Sequence, residues 1–128
     1  MTFFFDHNLS WRLAKALSYL EDNENVVVHL TDIFDSDALD VVWLEHIGRN
    51  DMVLVSKDIR IRKHRAELSA LKQYNVGAFF LIGRKLTKWQ EIRQLIFQWE
   101  KMKELAINAY RPFAFLVPQR GNITSIAL

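Results

Sequence analysis

Three aspartates that are far apart along the chain stand where carboxylates can do chemistry. Asp6 directly follows three phenylalanines, Asp58 follows the apolar run 52–56, and Asp40 lies in a helical pattern between them. In open α/β sheets, ligands bind just beyond the carboxyl ends of the strands. If these three carboxylates meet there, they repel one another unless a divalent cation neutralises them, and oxygen ligands of this kind suit Mg²⁺ or Mn²⁺. An ion held in this way activates water and stabilises the charge on a phosphodiester under attack.

Each of these aspartates also has a simpler structural interpretation. Asp6 alone is equally consistent with a cap on the helix that follows it. Asp37 and Asp40 have the Ncap and N3 spacing of a capping arrangement, and Asp58 is placed to cap a helix beginning near Ile59. The metal-site hypothesis therefore depends on the coincidence of three carboxylates and not on any one of them.

A basic segment lies beside the third aspartate. Residues 57–65 contain five lysines and arginines and a single acid. A solvated helix face is the simplest interpretation, but positive charge around an acidic metal site suits a polyanionic substrate. We expect Lys57, Arg60 and Arg62 to hold the flanking phosphates of such a substrate.

Short apolar runs alternate with amphipathic patterns along the chain. The phenylalanines at 3–5 predict a strand buried on both faces, as at the centre of a parallel sheet. Further strands are predicted at 26–30, 52–56, 76–82 and 113–117, and helices at 9–21, 37–48, 60–74 and from residue 88 onwards. This alternation predicts a parallel α/β sheet with right-handed crossovers.

Particular residues predict where the helices begin and end. Ser10 or Asn8 is placed to cap the first helix, and Gly48 to end the second. Thr87 is placed to cap the longest helix, whose apolar positions step by three and four from Trp89 onwards. That helix carries the clearest amphipathic pattern in the chain.

Length and composition restrict the class of protein. The chain has 128 residues, half of them apolar, which predicts one domain over 1–128, with 112–128 as a closing edge strand and tail. The net charge is only +2, and the lack of cysteine excludes a disulfide scaffold and any Cys-ligated zinc. No apolar run approaches the roughly 18 residues of a membrane span, and the apolar start lacks the basic leader of a signal peptide. We expect a cytoplasmic protein with no membrane association.

Several stretches together resemble one known group of proteins. The stretches 3–9, 40–44 and 53–62, with Glu67 and the run 79–81, resemble the PIN-like nuclease families. The similarity runs over roughly residues 3–82 and is greatest to the compact branch associated with VapC-type toxins of bacterial toxin–antitoxin pairs. It implies a three-layer α/β/α sandwich with a central, mostly parallel sheet, dependence on Mg²⁺ or Mn²⁺, and endonucleolytic cleavage of RNA.

The resemblance also implies roles for individual residues. Asp6, Asp40 and Asp58 match the three acids that bind metal and carry catalysis, and Asn8 matches the polar position after the first acid, which we place with the substrate-binding residues. Many PIN nucleases have a fourth acid shortly after the third, whereas this chain has Ile-Arg-Ile-Arg at 59–62. The expected function is thus a metal-dependent ribonuclease, the toxin of a pair, with a cognate antitoxin and a homodimer as implied partners.

Two alternatives remain open. The first is a catalytically weak or inactive PIN-like module that binds RNA or a protein, and the missing fourth acid favours it. The second is a phosphatase or receiver-like domain, which also places acids at strand ends. It would have an acidic pair near the first strand, where this chain has Asp6 followed by His7.

Overall fold

The structure is a computed structural model; it describes the backbone of residues 1–57 and 65–128, and the side chains of 1–57 and 69–128. The elements in chain order are β1 (Thr2–Phe5), α1 (Trp11–Leu20), β2 (Val26–His29), a 3-10 turn (Leu30–Asp32), α2 (Asp40–Arg49), β3 (Val53–Ser56), α3 (Arg65–Gln73), β4 (Gly77–Leu81), α4 (Lys88–Asn108), β5 (Phe113–Val117) and β6 (Thr124–Ser125).

The six strands form one sheet in the order β2-β1-β3-β4-β5-β6, and the first five run parallel. The chain leaves β1 for β2 on one side and later returns to β3 on the other, so the strand order reverses between β1 and β3. The crevice outside the carboxyl ends of strands at such a reversal is the usual ligand position in open α/β sheets. β1 thus lies next to the switch point and inside the sheet, and its aromatic run predicted the interior position.

Helices cover both faces of the sheet, so the predicted three-layer α/β/α sandwich is confirmed. Successive strand residues point to opposite faces, and Phe3 and Phe5 therefore pack with α1 and α4, whereas Phe4 packs with α2 and α3. The three phenylalanines are fully buried, which is why this strand carries aromatic residues at every position.

The crossovers do not all have the same hand. β3 to β4 and β4 to β5 step in the same direction across the sheet, yet α3 lies on one face and α4 on the other. The predicted right-handed crossovers therefore cannot hold for every connection. α4 lies beside α1 because its Trp99 packs against Phe3 and Phe5, with ring centroids 4.8 and 6.3 Å apart.

Two predicted boundaries are wrong for identifiable reasons. Gly48 does not end α2, which continues to Arg49; a Cβ on Gly48 would collide with the backbone and Cβ of Tyr74, so the glycine permits close packing beside the end of α3. β5 is not an edge strand, because β6 pairs with it antiparallel. Ser10 and Thr87 cap α1 and α4 as predicted, each accepting a hydrogen bond from the first turn of its helix.

Candidate active site at the switch point

Asp6 is the first residue beyond β1 and is fully buried at the switch point. Its backbone N–H still donates to the carbonyl of Val55 in β3, at 3.2 Å. One carboxylate oxygen, Oδ1, accepts from the N–H of Asn8 at 3.0 Å, and the other, Oδ2, accepts from the hydroxyl of Ser56 at 2.5 Å. Asp6 does not cap α1, since Ser10 does so. The carboxylate is instead held at both oxygens at the carboxyl edge of the sheet.

Ser56 is a residue of this site that the sequence reasoning missed. It is the last residue of β3, fully buried, and the register that pairs Phe5 with Val55 places it beside Asp6. A hydroxyl that ends an otherwise apolar buried strand was the available signal. Hydrogen-bond donors to a functional carboxylate fix its orientation and tune its basicity.

Lys57 continues this edge and forms an ion pair with Glu91. The Lys57 Nζ lies 3.1 Å from a carboxylate oxygen of Glu91, whose side chain is only 6% exposed, whereas 41% of the lysine side chain is exposed. Glu91 lies in the first turn of α4, which follows β4, so it belongs to the same edge of the sheet. Its spacing of four from buried Leu95 was the signal that it faces inward.

Asp40 is the first residue of α2 and is partly buried. It heads the stripe formed by Trp43, Leu44 and Ile47, which are fully buried as predicted. The capping interpretation of Asp37 and Asp40 is wrong, because the Ncap residue is Leu39. Asp40 therefore stands at the same edge of the sheet as Asp6, on the layer formed by α2 and α3.

The remaining predicted site residues are Asn8, Asp58, Arg60 and Arg62. Asp58, Arg60 and Arg62 lie outside the described residues. The alternative role of Asp58 as a helix cap therefore stays a prediction. Asn8 is partly buried, and its backbone contacts Asp6. Within residues 1–57 and 69–128, no three acidic or histidine side chains form a group that could hold a metal ion. The structure thus brings together Asp6, Asn8 and Ser56, and Lys57 follows Ser56 in the chain.

Charge is divided across this edge of the sheet. The loop between β2 and α2 carries Asp32, Asp35 and Asp37, followed by Asp40. On the other side of the switch point is a basic flank, which we define as Arg84, Lys85, Lys88, Arg93 and Arg120, all of them exposed. The ion pairs formed among the described side chains involve none of these five cations. A cation is favoured on the first side and a polyanion on the second.

A family model described as "PIN like domain" matches residues 1–83, which run from β1 to just beyond β4. This chain belongs to the PIN-like family. PIN-like domains are generally nucleases. The search of curated proteins found no match, and the search of solved structures found none either.

The candidate site of this PIN-like domain offers carboxylate oxygens, which are the type of ligand that a hard divalent cation binds. A carboxylate has about four lone-pair positions, and the bonds from Asn8 and Ser56 orient the two oxygens of Asp6. Oxygen ligands are those that Mg²⁺ and Mn²⁺ prefer.

None of the helices that the structure describes has the length and apolar character to cross a membrane.

Proposed function

We propose that this PIN-like protein is a Mg²⁺- or Mn²⁺-dependent endoribonuclease. The observation that carries the proposal is the Asp6 carboxylate, fully buried at the switch point and hydrogen-bonded at both oxygens by Asn8 and Ser56. A carboxylate that only caps a loop or helix needs one hydrogen bond to a backbone N–H, whereas Asp6 also accepts a bond from the buried hydroxyl of Ser56. Such support is typical of carboxylates that bind metal.

The chain's own residues would divide the work as follows. Asp6, Asp40 and Asp58 would hold the ion, which when bound supplies an activated water and neutralises charge on the scissile phosphate. Ser56 and the N–H of Asn8 keep the Asp6 carboxylate oriented. Lys57, with Asn8, Arg60 and Arg62, would bind the substrate on either side of the cleaved bond.

The polarised edge supports an orientation for the RNA. Lys57 keeps a partly exposed ammonium group while Glu91 fixes its position, so it can contact a phosphate without leaving its ion pair. The basic flank lies on the same side as Lys57, and the acidic loop lies opposite. A phosphodiester chain bound along the flank would therefore bring one phosphate to the carboxylates.

We also propose that the protein is the toxin of a toxin–antitoxin pair, acts in the cytoplasm, and has a cognate antitoxin and a second copy of itself as partners. The support is the resemblance of the segments around Asp6 and Asp40 to VapC-type toxins, together with exposed apolar side chains such as Leu20 and Ile107. These apolar groups would be covered in a complex.

The decisive experiment compares Asp6→Asn with a matched control, Asp35→Asn, in the exposed acidic loop. Asp6→Asn should abolish Mg²⁺- or Mn²⁺-dependent cleavage of labelled RNA and relieve growth arrest on expression, with its circular dichroism spectrum unchanged. The control should behave like the unmodified protein. Cleavage at an undiminished rate in Asp6→Asn would end the catalytic assignment.

One observation favours a second candidate function, a weak or inactive module that binds RNA or a protein. The sequence at 59–62 lacks the fourth acid that many PIN nucleases have. Calorimetric titration with Mn²⁺ separates the two: a nuclease site should bind the ion in a manner that Asp6→Asn removes, and a module without a site should show no such heat.

A further inference from the structure

The amino-terminal half of α4 presents aromatic side chains to solvent. Trp89 is 79% exposed and Phe97 63% exposed. The sequence pattern placed Trp89 on the apolar stripe, but Glu91, Gln94 and Gln98 are buried in this part of the helix. The helix is therefore rotated relative to the orientation that apolar spacing alone predicts.

Hydrogen bonds of the two glutamines explain this rotation. The Gln94 side-chain amide donates to the carbonyls of Ile82 and Val117 at 2.8 and 2.9 Å, just beyond β4 and at the end of β5. The Gln98 amide donates to the carbonyls of Pro118 and Gly121, both at 3.0 Å. These bonds hold the glutamine face of α4 against the segments that follow β4 and β5, and the aromatic face is thereby turned outward.

The exposed face alternates aromatic and basic residues. Trp89, Arg93 and Phe97 are spaced by four and share one stripe of the helix. At a rise of 1.5 Å per residue, the two aromatic residues stand about 12 Å apart with the arginine between them. A hollow of about 290 Å³ between α1 and α4 is lined by Arg12, Lys88 and Trp89, among others.

A second hollow lies on the other side of α4, against the turn after β5. It measures about 520 Å³, and its lining includes Arg93, Phe97, Gln119 and Arg120. We call the surface formed by the two hollows and the stripe between them the aromatic–basic groove. It is built from Arg12, Lys88, Trp89, Arg93, Phe97 and Arg120.

The charges of this groove favour a polyanion over an apolar protein partner. Among the described residues that line the two hollows, none is acidic. The distal half of α4 differs, because Lys101 and Lys103 form ion pairs there with Glu104, Glu100 and Glu21. The amino-terminal part of α4 that carries this groove also carries Glu91, which pairs with Lys57 on its buried face.

We propose that the aromatic–basic groove binds single-stranded nucleic acid. Bases would stack on Trp89 and Phe97, and the phosphates between them would contact Arg93 and Arg120. Positively charged grooves with exposed aromatic rings are the usual means of holding a single strand without reading its sequence. That the bound strand is also the one cleaved rests on the proposed function; binding itself requires neither the metal nor Asp6.

The test measures binding of fluorescein-labelled oligouridine to the full chain by anisotropy, in EDTA so that no cleavage occurs. Trp89→Ala and Phe97→Ala should each weaken binding roughly 5- to 140-fold, the loss expected for one stacked base. Both side chains are largely exposed, so the variants should fold. Tyr110→Ala, which removes an aromatic residue that is 95% exposed beyond the end of α4, is the matched control and should bind normally.

The contribution of the arginines is measured from the salt dependence of binding. Replacing Arg93 and Arg120 together by glutamine should reduce the slope of log affinity against log salt by about 1.4, because each phosphate contact on a single strand contributes about 0.7. Lys101→Gln, in the distal half of α4, should leave that slope unchanged.

The outcomes separate this inference from the proposed nuclease. If the aromatic variants weaken binding while no form of the protein cleaves RNA, the groove is supported and the nuclease falls. The groove is refuted if the unmodified protein does not bind the strand, or if both aromatic variants bind it normally. If the aromatic variants bind the strand normally but sediment with a lower mass than the unmodified protein, these side chains belong to a protein interface instead.

Discussion

The Ser56→Ala substitution tests whether the buried hydroxyl supports a charged carboxylate at Asp6. Both residues are fully buried, and the Ser56 Oγ lies 2.5 Å from Oδ2 of Asp6. A hydrogen bond to a charged group contributes about 1.5–3 kcal/mol, against about 0.5–1.5 kcal/mol for a neutral pair. We therefore expect Ser56→Ala to lower the free energy of unfolding at pH 7 by about 1.5–3 kcal/mol.

The same substitution made in the Asp6→Asn background isolates the effect of charge. An asparagine oxygen can still accept from the hydroxyl but is neutral, so the cost of Ser56→Ala should fall by roughly half there. Urea unfolding of the four proteins supplies the numbers. Ser69→Ala, at an exposed position of α3, is the control and should change stability by no more than about 0.5 kcal/mol.

The activity of Ser56→Ala gives an independent reading. Loss of a group that orients a metal-binding carboxylate typically lowers metal affinity or activity by about 10- to 100-fold, and Mn²⁺ titration and RNA cleavage should both show it. Equal stability costs in the Asp and Asn backgrounds, within about 0.5 kcal/mol, would refute the reasoning, because the hydroxyl would then not sense the charge.

Two further substitutions test a close helix contact and a buried carboxylate. Gly48→Ala should destabilise the fold by about 1–3 kcal/mol in urea unfolding, because the new methyl group would overlap Tyr74; a neutral result would show that α2 and α3 can separate freely. The pKa of Glu21 lies below its ordinary value of 4.5. Burial raises this pKa, but hydrogen bonds from Lys103 and Trp99 together outweigh burial and lower it. This interaction stabilises the fold above that ordinary value and is lost as the pH falls through the folded-state pKa. Glu21→Gln should therefore flatten the acid side of the stability profile, and an unchanged profile would contradict the assignment.

The local features of the fold were largely predictable from the sequence. The phenylalanines at 3–5 predicted the buried central strand, Ser10 and Thr87 predicted the helix caps, and the stripe below Asp40 predicted the sheet-facing side of α2. Each of these depends on a residue's immediate neighbours or on a regular period. Such properties are encoded locally.

Gly48 and Trp89 show where local patterns failed. Gly48 resembles a helix stop, but its neighbour Tyr74 lies just after α3, another helix. Trp89 fits an apolar stripe, but the amides of Gln94 and Gln98 turn α4 by donating to carbonyls at and beyond the ends of β4 and β5. Neither requirement can be seen within a window of one helix.

The sequence by itself determined the α/β class, the candidate acids and the membership in a nuclease family, because strand-end carboxylates and alternating patterns are legible along the chain. Only the tertiary structure decided that β1 and β3 are neighbours, that Ser56 therefore supports Asp6, and that Glu91 pairs with Lys57. These contacts join residues tens of positions apart, and strand order and helix rotation, which no local pattern specifies, bring them together.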